Sequence, residues 1–400
     1  MKRVITAVLL LLLIFANCEA KNKKKSAKKS KAKAEKSYPR REPRSYVVKL
    51  LADEAGRVLY EENGKMVYPI ASLTKMMTIL ITMEKIEQGE LLYSDVVKIS
   101  PKSDDTAGIS SGLVRGEEYK LEDLMKTAVA HSSNDAAYAI AEYAGKGSVD
   151  DFVKLMNEKA QELGMKDTVY YTPTGLPKHN TGKGVDVSTA EDMARLASVI
   201  VKHEKYYEFS AAKNITITEL KSGKKSTFRN TNKMVGSYEG LDGLKTGFHN
   251  AAMFNIVATA KRGKLRFIAV VFGSDTQQMR AKEVEELLDA GFMNYESIKV
   301  ADRKKQLATI KFDNNKKKAK IYSEFDEYIA VKKDEKRKIK KKLYLPEKVE
   351  DVKENEKVGV LSVFLNGKEV AQSYVVARHI EKKENFFVWL FHLITFNIFR

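Results

Sequence analysis

Two rhythms of apolar and polar positions divide the chain. Tyr46 to Ala52 and Arg57 to Glu61 alternate around Asp53-Glu54-Ala55-Gly56, which predicts two strands joined by a hairpin turn. Met76 to Ile86 is largely apolar, lacks Gly and Pro and has helical length, so a helix should start near Ser72. Leu91 to Glu142 reads as helix and loop, Asn134 through Tyr143 as a further helix, and Gly175 to Gly184 as a polar loop. Ser188-Thr189-Ala190-Glu191 predicts a helix start with Ser188 as cap and a carboxylate three residues on. Asn214 to Leu220, Phe254 to Ala260 and Leu265 to Phe272 are strand-like, and Arg280 to Phe292 is an amphipathic helix. Strands, a block of helices, then strands and a last helix predict an α/β sheet core with an inserted helical subdomain. From Ile298 the segments shorten to Leu307–Phe312, Lys318–Ser323, Tyr328–Val331, Val358–Phe364 and Ser373–Ala377, an all-β pattern. At the end, Asn385 to Arg400 is dominated by Phe, Leu, Ile and Trp389 but is shorter than the ~20 residues that span a bilayer. That predicts an in-plane amphipathic helix, with a buried core helix as the alternative.

Charge changes the picture at the other end. The 400 residues carry a formal net charge of +18, which suits anionic partners. Much of the excess lies in the Lys-, Ala- and Ser-rich stretch 21–45, which holds too few hydrophobics to bury and should be disordered. No nucleic-acid module accompanies it, so an anionic membrane surface is the expected partner. Met1-Lys2-Arg3 and the apolar run Val4 to Ala16 read as a secretory signal, 1–20, with cleavage after Ala20. Cys18, the only cysteine, offers a competing reading as a lipid-modified N-terminus and excludes an internal disulfide. No motif calls for a metal or a cofactor.

Candidate chemistry begins with Ser72-Leu73-Thr74-Lys75. Three residues apart on a helix start, a hydroxyl and an amine share a face, and a neutral amine can take a serine proton. The spacing alone is weak, because Ser26 and Lys29, and Ser30 and Lys33, repeat it in the basic tail. Two further motifs follow in order. Ser132-Ser133-Asn134 gives S-x-N, and Lys245-Thr246-Gly247 gives K-T-G between two strand-like runs.

With Pro69-Ile70-Ala71-Ser72, Ser132 to Ala137, Thr174-Gly175-Leu176-Pro177, Ser188 to Ala194 and Asp242 to Gly247, the chain resembles the serine D-alanyl-D-alanine carboxypeptidases, or low-molecular-weight penicillin-binding proteins, from about Tyr46 to Arg400. The resemblance implies an α/β catalytic domain of the penicillin-recognising (β-lactamase/transpeptidase-like) fold with a helical subdomain, 46–295. A small all-β C-terminal domain, 298–380, and a membrane-anchor helix, 385–400, follow. It implies removal of the terminal D-Ala from peptidoglycan stem pentapeptides through an acyl-enzyme, sensitivity to β-lactam antibiotics, and a place on the outer face of the cytoplasmic membrane. By motif match Ser72 is the nucleophile and Lys75 its base, Ser132 and Lys245 relay a proton to the leaving amine, and Asn134 holds the peptide. The backbone N–H groups of Ser72 and Phe248, beside Gly247, form the oxyanion hole. Thr246 and Arg280 bind the terminal carboxylate. The family usually follows Lys-Thr-Gly with x-Thr and then Ala-Gly, whereas here Phe248-His249 and Ala252-Met253 stand, which bears on turnover and peptide preference. His131, beside Ser132, is expected to be structural. A crosslink-cleaving endopeptidase and a β-lactamase-like hydrolase are alternatives, as is a non-catalytic wall-binding scaffold. For the β-lactamase reading, no deacylating Glu is evident between S-x-N and K-T-G.

Overall fold

The structure is a computed structural model that describes residues 47–312, 317–335, 338–346 and 352–382. The segments 1–20, with Cys18, 21–45, and 385–400, with Trp389, lie outside the described residues. Among the described residues, no helix is long and apolar enough to cross a membrane.

A five-stranded antiparallel sheet organises the larger part. Hairpin strands β1 (Val48–Asp53) and β2 (Val58–Glu62) combine with β3 (Leu241–His249), β4 (Met253–Arg262) and β5 (Leu265–Ser274) in the order β2-β1-β5-β4-β3. Its central strand β5 is buried from Arg266 to Ser274, as its unbroken apolar run requires when both faces are covered. On one face Val257, Ile268, Val270 and Phe272 join the core of the helical subdomain. On the other, Ile256, Ala269 and Val271 meet Val284 and Leu288 of the last helix.

The α-helices longer than one turn are, among the described residues, α1 (Lys75–Glu87), α2 (Leu121–Lys126), α3 (Asn134–Ala144), α4 (Val149–Glu162), α5 (Ala190–Ile200), α6 (Glu204–Ser210) and, on the sheet's other face, α7 (Gln277–Asn294). Every residue of α1 from Lys75 to Met83 is buried, which explains its apolar circumference: it is the hub on which α3, α4 and α5 pack.

Several sequence readings shift. The K-T-G motif lies within β3, the sheet's edge strand, rather than between two strands. Thr189, not Ser188, caps α5, accepting the Asp192 N–H at 3.1 Å, because Ser188 is taken up in a two-residue pairing with Tyr68. Segment 91–142 contains a short antiparallel pair, Val96–Lys98 with Glu118–Lys120, and α4 and α6 were not anticipated.

Beyond α7 the chain passes directly, at Tyr295, into β6 (Tyr295–Ala301), so the β-rich part begins before the change of pattern at Ile298. β7 (Gln306–Phe312), β8 (Lys317–Ser323), β9 (Glu327–Lys332), β10 (Ile339–Tyr344), β11 (Lys357–Leu365) and β12 (Lys368–Lys382) follow. They form a sheet of order β7-β8-β12-β11-β10 and a separate β6–β9 pair, all-β as the alternating segments predict, with β6 and β10 outside those segments. Arg57, in the β1–β2 hairpin, donates to the Ala330 carbonyl on β9 and ties the two parts together.

Candidate active site

The site forms where edge strand β3 lies against the tight turn Ala71–Thr74 that opens α1. Two glycines permit that approach. A Cβ on Gly247 would stand 2.7 Å from the Ile70 carbonyl oxygen. One on Gly175, whose φ is +79°, would stand 1.9 Å from the Ala71 carbonyl oxygen, so no other residue fits there. Two non-glycine residues at the site, Ala71 and Ser132, have positive φ (50° and 68°), a conformation that the surrounding packing must hold in place.

Lys75 is fully buried, and its Nζ lies 3.0 Å from Ser72 Oγ, 2.6 Å from Asn134 Oδ1 and 2.6 Å from the Thr174 carbonyl oxygen. The Asn134 amide is oriented by its other end, since Nδ2 donates to the Ala107 carbonyl at 2.7 Å. Both Asn134 Oδ1 and Thr174 O can only accept. A neutral amine has two hydrogens for them and one lone pair, which then faces the Ser72 hydroxyl. Burial lowers Lys75 to about 7, against the opposing pull of the Asp186 and Asp135 charges. No carboxylate among the described residues bonds Ser72 or Lys75.

Across the cleft, Lys245 Nζ donates to Ser132 Oγ at 2.8 Å and to the Thr246 carbonyl at 2.9 Å. Burial, then the nearby Lys75 and Arg280 charges, depress its pKa well below the usual lysine range. The Thr246 hydroxyl lies 2.7 Å from Thr231 Oγ1. Arg280 is no surface residue: it is 5 % exposed, its Nη1 donates to the Asn255 carbonyl at 3.2 Å, and its Nε has no partner among the described residues. Asn255 pairs with Gly247 across β3 and β4, which brings Arg280 to the K-T-G strand. Burial lowers Arg280 to about 10, leaving it cationic at neutral pH. His131 Nδ1 lies 3.3 Å from the Arg229 carbonyl oxygen and its ring packs on Phe228, a structural setting. His249 Nδ1 accepts the N–H groups of Ala251 and Ala252 at 3.2 and 3.0 Å, closing the β3–β4 turn, so its side chain serves the strand end.

Sequence reasoning missed the supports. Asp186, deeply buried, accepts from Thr74 Oγ1 (2.8 Å), Thr172 Oγ1 (2.9 Å), Tyr171 N (2.6 Å) and Thr172 N (3.1 Å), fixing the Ser72 turn to the loop that presents Thr174. Burial raises it to about 6 despite those bonds. Asp135 gathers Ser110 and the N–H groups of Ser111 and Leu113 beside the S-x-N loop. Asn255 holds the Pro69 carbonyl at 2.9 Å, just ahead of the turn. Of these residues, only Asp135 fell inside a motif that drew attention.

A buried serine–lysine pair, a second serine–lysine pair opposite and a glycine-opened edge strand define a serine acyl-transfer enzyme of the penicillin-recognising fold. The model of the D-alanyl-D-alanine carboxypeptidase family, peptidase family S11, matches residues 32–276, and that of the penicillin-binding protein 5 C-terminal domain matches 295–382. The chain belongs to the D-alanyl-D-alanine carboxypeptidase family. It is 33 % identical over 344 residues to the D-alanyl-D-alanine carboxypeptidase DacF of Bacillus subtilis, covering 85 % of this chain and 87 % of the relative. Penicillin-binding protein 5 of Haemophilus influenzae is similar in structure, with a TM-score of 0.66 and 27 % identity over 84 % of this chain and 97 % of the other. Penicillin-binding protein D2 of Listeria monocytogenes, solved with ampicillin bound, aligns with a TM-score of 0.54 and 31 % identity over 62 % of this chain and 100 % of its own.

Proposed function

We propose that this serine carboxypeptidase works on peptidoglycan stem pentapeptides through an acyl-enzyme on Ser72, with Lys75 as the base. The observation that carries this reading is the Lys75 environment, in which two obligate acceptors direct the amine's lone pair at the Ser72 hydroxyl. Lys75 takes the Ser72 proton as Oγ attacks the penultimate D-Ala carbonyl. The resulting oxyanion is held by the N–H groups of Ser72 and Phe248, brought near each other by the close approach at Gly247. Collapse breaks the peptide bond, and the proton that Lys75 took is relayed through the Ser132–Lys245 pair to the departing D-Ala amine, which leaves Lys75 neutral again. Water then attacks the ester, giving up its proton to Lys75, which returns it to Ser72 Oγ as the shortened peptide leaves. A β-lactam enters at the first step and acylates Ser72, a reading supported by the ampicillin-bound relative. Labelling with a fluorescent penicillin, together with D-Ala release from a stem pentapeptide, tests the whole reading. A folded protein that does neither is the scaffold instead.

Thr246 and Arg280 are assigned to the free carboxylate of the substrate. The buried cationic Arg280, whose Nε has no partner among the described residues, supports this. A charge-assisted hydrogen bond is worth about 1.5–3 kcal/mol, so Arg280→Ala should lower kcat/KM for the free-acid peptide by roughly 10–100-fold. A C-terminally amidated peptide should lose little further. Equal losses on both substrates would make Arg280 a structural residue.

The remaining parts of the chain complete the proposal. Residues 1–20 direct export, 21–45 form a basic tether, the catalytic domain runs from 46 to the end of α7, the β-rich domain follows from Tyr295, and 385–400 anchor the enzyme to the outer face of the cytoplasmic membrane. The apolar composition of the last sixteen residues and the lysines of 21–45 support it. Burying one large apolar side chain is worth about 1.5–3 kcal/mol, and each basic residue near an anionic surface adds up to ~1 kcal/mol. Truncation before Asn385 should therefore move most of the protein from the membrane to the soluble fraction while peptide cleavage persists. Wild-type Trp389 emission should shift to the blue on anionic vesicles. Unchanged emission, or a truncated protein that does not fold, favours a buried helix.

A further inference from the structure

Strand β3 turns Thr246 and Phe248 to the same face, because they stand two residues apart. Phe254 on β4 is the cross-strand neighbour of Phe248 and shares that face. The two rings stack with centroids 4.4 Å apart and planes 29° from parallel. The Arg280 guanidinium lies 6.0 Å from the centre of the Phe254 ring. Yet Phe248 is 50 % exposed. A large aromatic side chain thus stands half in solvent at the rim of a polar site, braced from one side by a second ring. A core role does not explain a ring that stays half exposed.

The consequence rests on the reading above, in which the scissile carbonyl oxygen meets the Phe248 N–H and the terminal carboxylate meets Thr246 and Arg280. The departing residue is then strung between positions 248 and 246 of β3, with the Phe248 ring beside its α-carbon. We propose that the Phe248–Phe254 stack is the wall that limits the side chain of the departing D-residue to about a methyl group, and so commits the enzyme to stems ending in free D-Ala. In a cross-linked stem the departing amine carries a second peptide where D-Ala carries a methyl, and that bulk meets the wall. The stack therefore separates carboxypeptidase from endopeptidase action, with no change in the chemistry at Ser72. Hydrophobic walls of this kind separate substrates differing by one methylene by about 10–200-fold, and a whole side chain offers more to exclude.

The test uses the full chain and three substrates: an acyl-D-Ala-D-Ala peptide, the same peptide ending in D-Leu, and a cross-linked stem-peptide dimer. The wild type should favour D-Ala over D-Leu by ~10-fold or more in kcat/KM and cleave the dimer poorly. Phe248→Ala should lower that ratio by ~10-fold or more and raise dimer cleavage relative to pentapeptide cleavage, whereas Phe248→Tyr should keep the wild-type ratio. Phe254→Leu, which removes the bracing ring, should move the ratio in the same direction and decides the matter alone if Phe248→Ala yields no penicillin-labelled protein. An unchanged ratio in variants that still label with penicillin overturns the wall. An active wild type that takes dimer and pentapeptide equally well overturns it too. A wild type that releases neither D-Ala nor D-Leu from the two peptides overturns the underlying carboxypeptidase reading, which is a separate result.

Discussion

Ser72→Ala should abolish covalent penicillin labelling and lower D-Ala release by roughly 10⁴-fold or more, as loss of a covalent nucleophile usually does. The reason is local. Among the described residues, Ser72 carries the only hydroxyl that Lys75 Nζ hydrogen-bonds, and its other two partners, Asn134 Oδ1 and the Thr174 carbonyl oxygen, cannot become nucleophiles. The fold should tolerate the change, because Lys75 keeps both of those acceptors and the turn is held elsewhere by Asp186 on Thr74 and by Asn255 on the Pro69 carbonyl. The thermal midpoint should therefore stay close to that of the wild type while activity disappears. Persistent labelling of the Ser72→Ala protein would sink the assignment, and collapse of the midpoint would turn lost activity into mere unfolding.

How much of this site can be read from the sequence follows from the range of the interactions involved. Ser72 and Lys75 are three residues apart on the opening of one helix, so local periodicity brings them together. The strands β1, β4 and β5 and the helices α1, α3 and α7 show their apolar rhythm within a dozen residues, and their cores match it. Asp186 is different. Its carboxylate serves Thr74, 112 residues away, and nothing between Gly184 and Ser188 announces it. Asn255 reaches Pro69 across 186 residues, and Thr231 meets Thr246 through a loop with no periodic pattern. Arg280 shows the same limit in reverse. The sequence places it at the start of an amphipathic helix and only the resemblance gives it a role, whereas the first turn of α7 folds over β4 and buries it. The motifs thus give the candidate reacting atoms, while the buried acids and amides that hold them come from distant segments whose meeting only the folded chain displays.

Acylation should require a neutral Lys75, and its rate should therefore fall as pH drops through about 7. The sign follows from the cause: burial disfavours the ammonium, so the folded protein holds this amine far below the 10.5 of an ordinary lysine. Above about 7 the lone pair is available to Ser72, and below it a proton occupies the position. One proton must be absent, so kcat/KM or the penicillin acylation rate should drop toward tenfold per pH unit on the acid side. Asp186 modifies that limb. Its anion raises the pKa of Lys75, and it is itself raised to about 6, so it starts to neutralise as the pH falls through that value. Lys75 then deprotonates more easily, and the limb should bend to a shallower slope below about 6 as the two groups titrate together. Asp186→Asn should move the limb to lower pH without removing the base. Lys75→Met should lower acylation by roughly 10²–10⁴-fold, the usual worth of a general base, and leave no limb attributable to this group. Folding stability supplies an independent reading. Between about 7 and 10.5 the unfolded chain holds the Lys75 proton and the folded one does not, so wild-type stability should rise with pH relative to Lys75→Met across that window. Below about 7 both states hold the proton and the difference should be flat. An acylation rate that stays constant down to pH 5, or a stability difference without slope above 7, would remove Lys75 from the role of base.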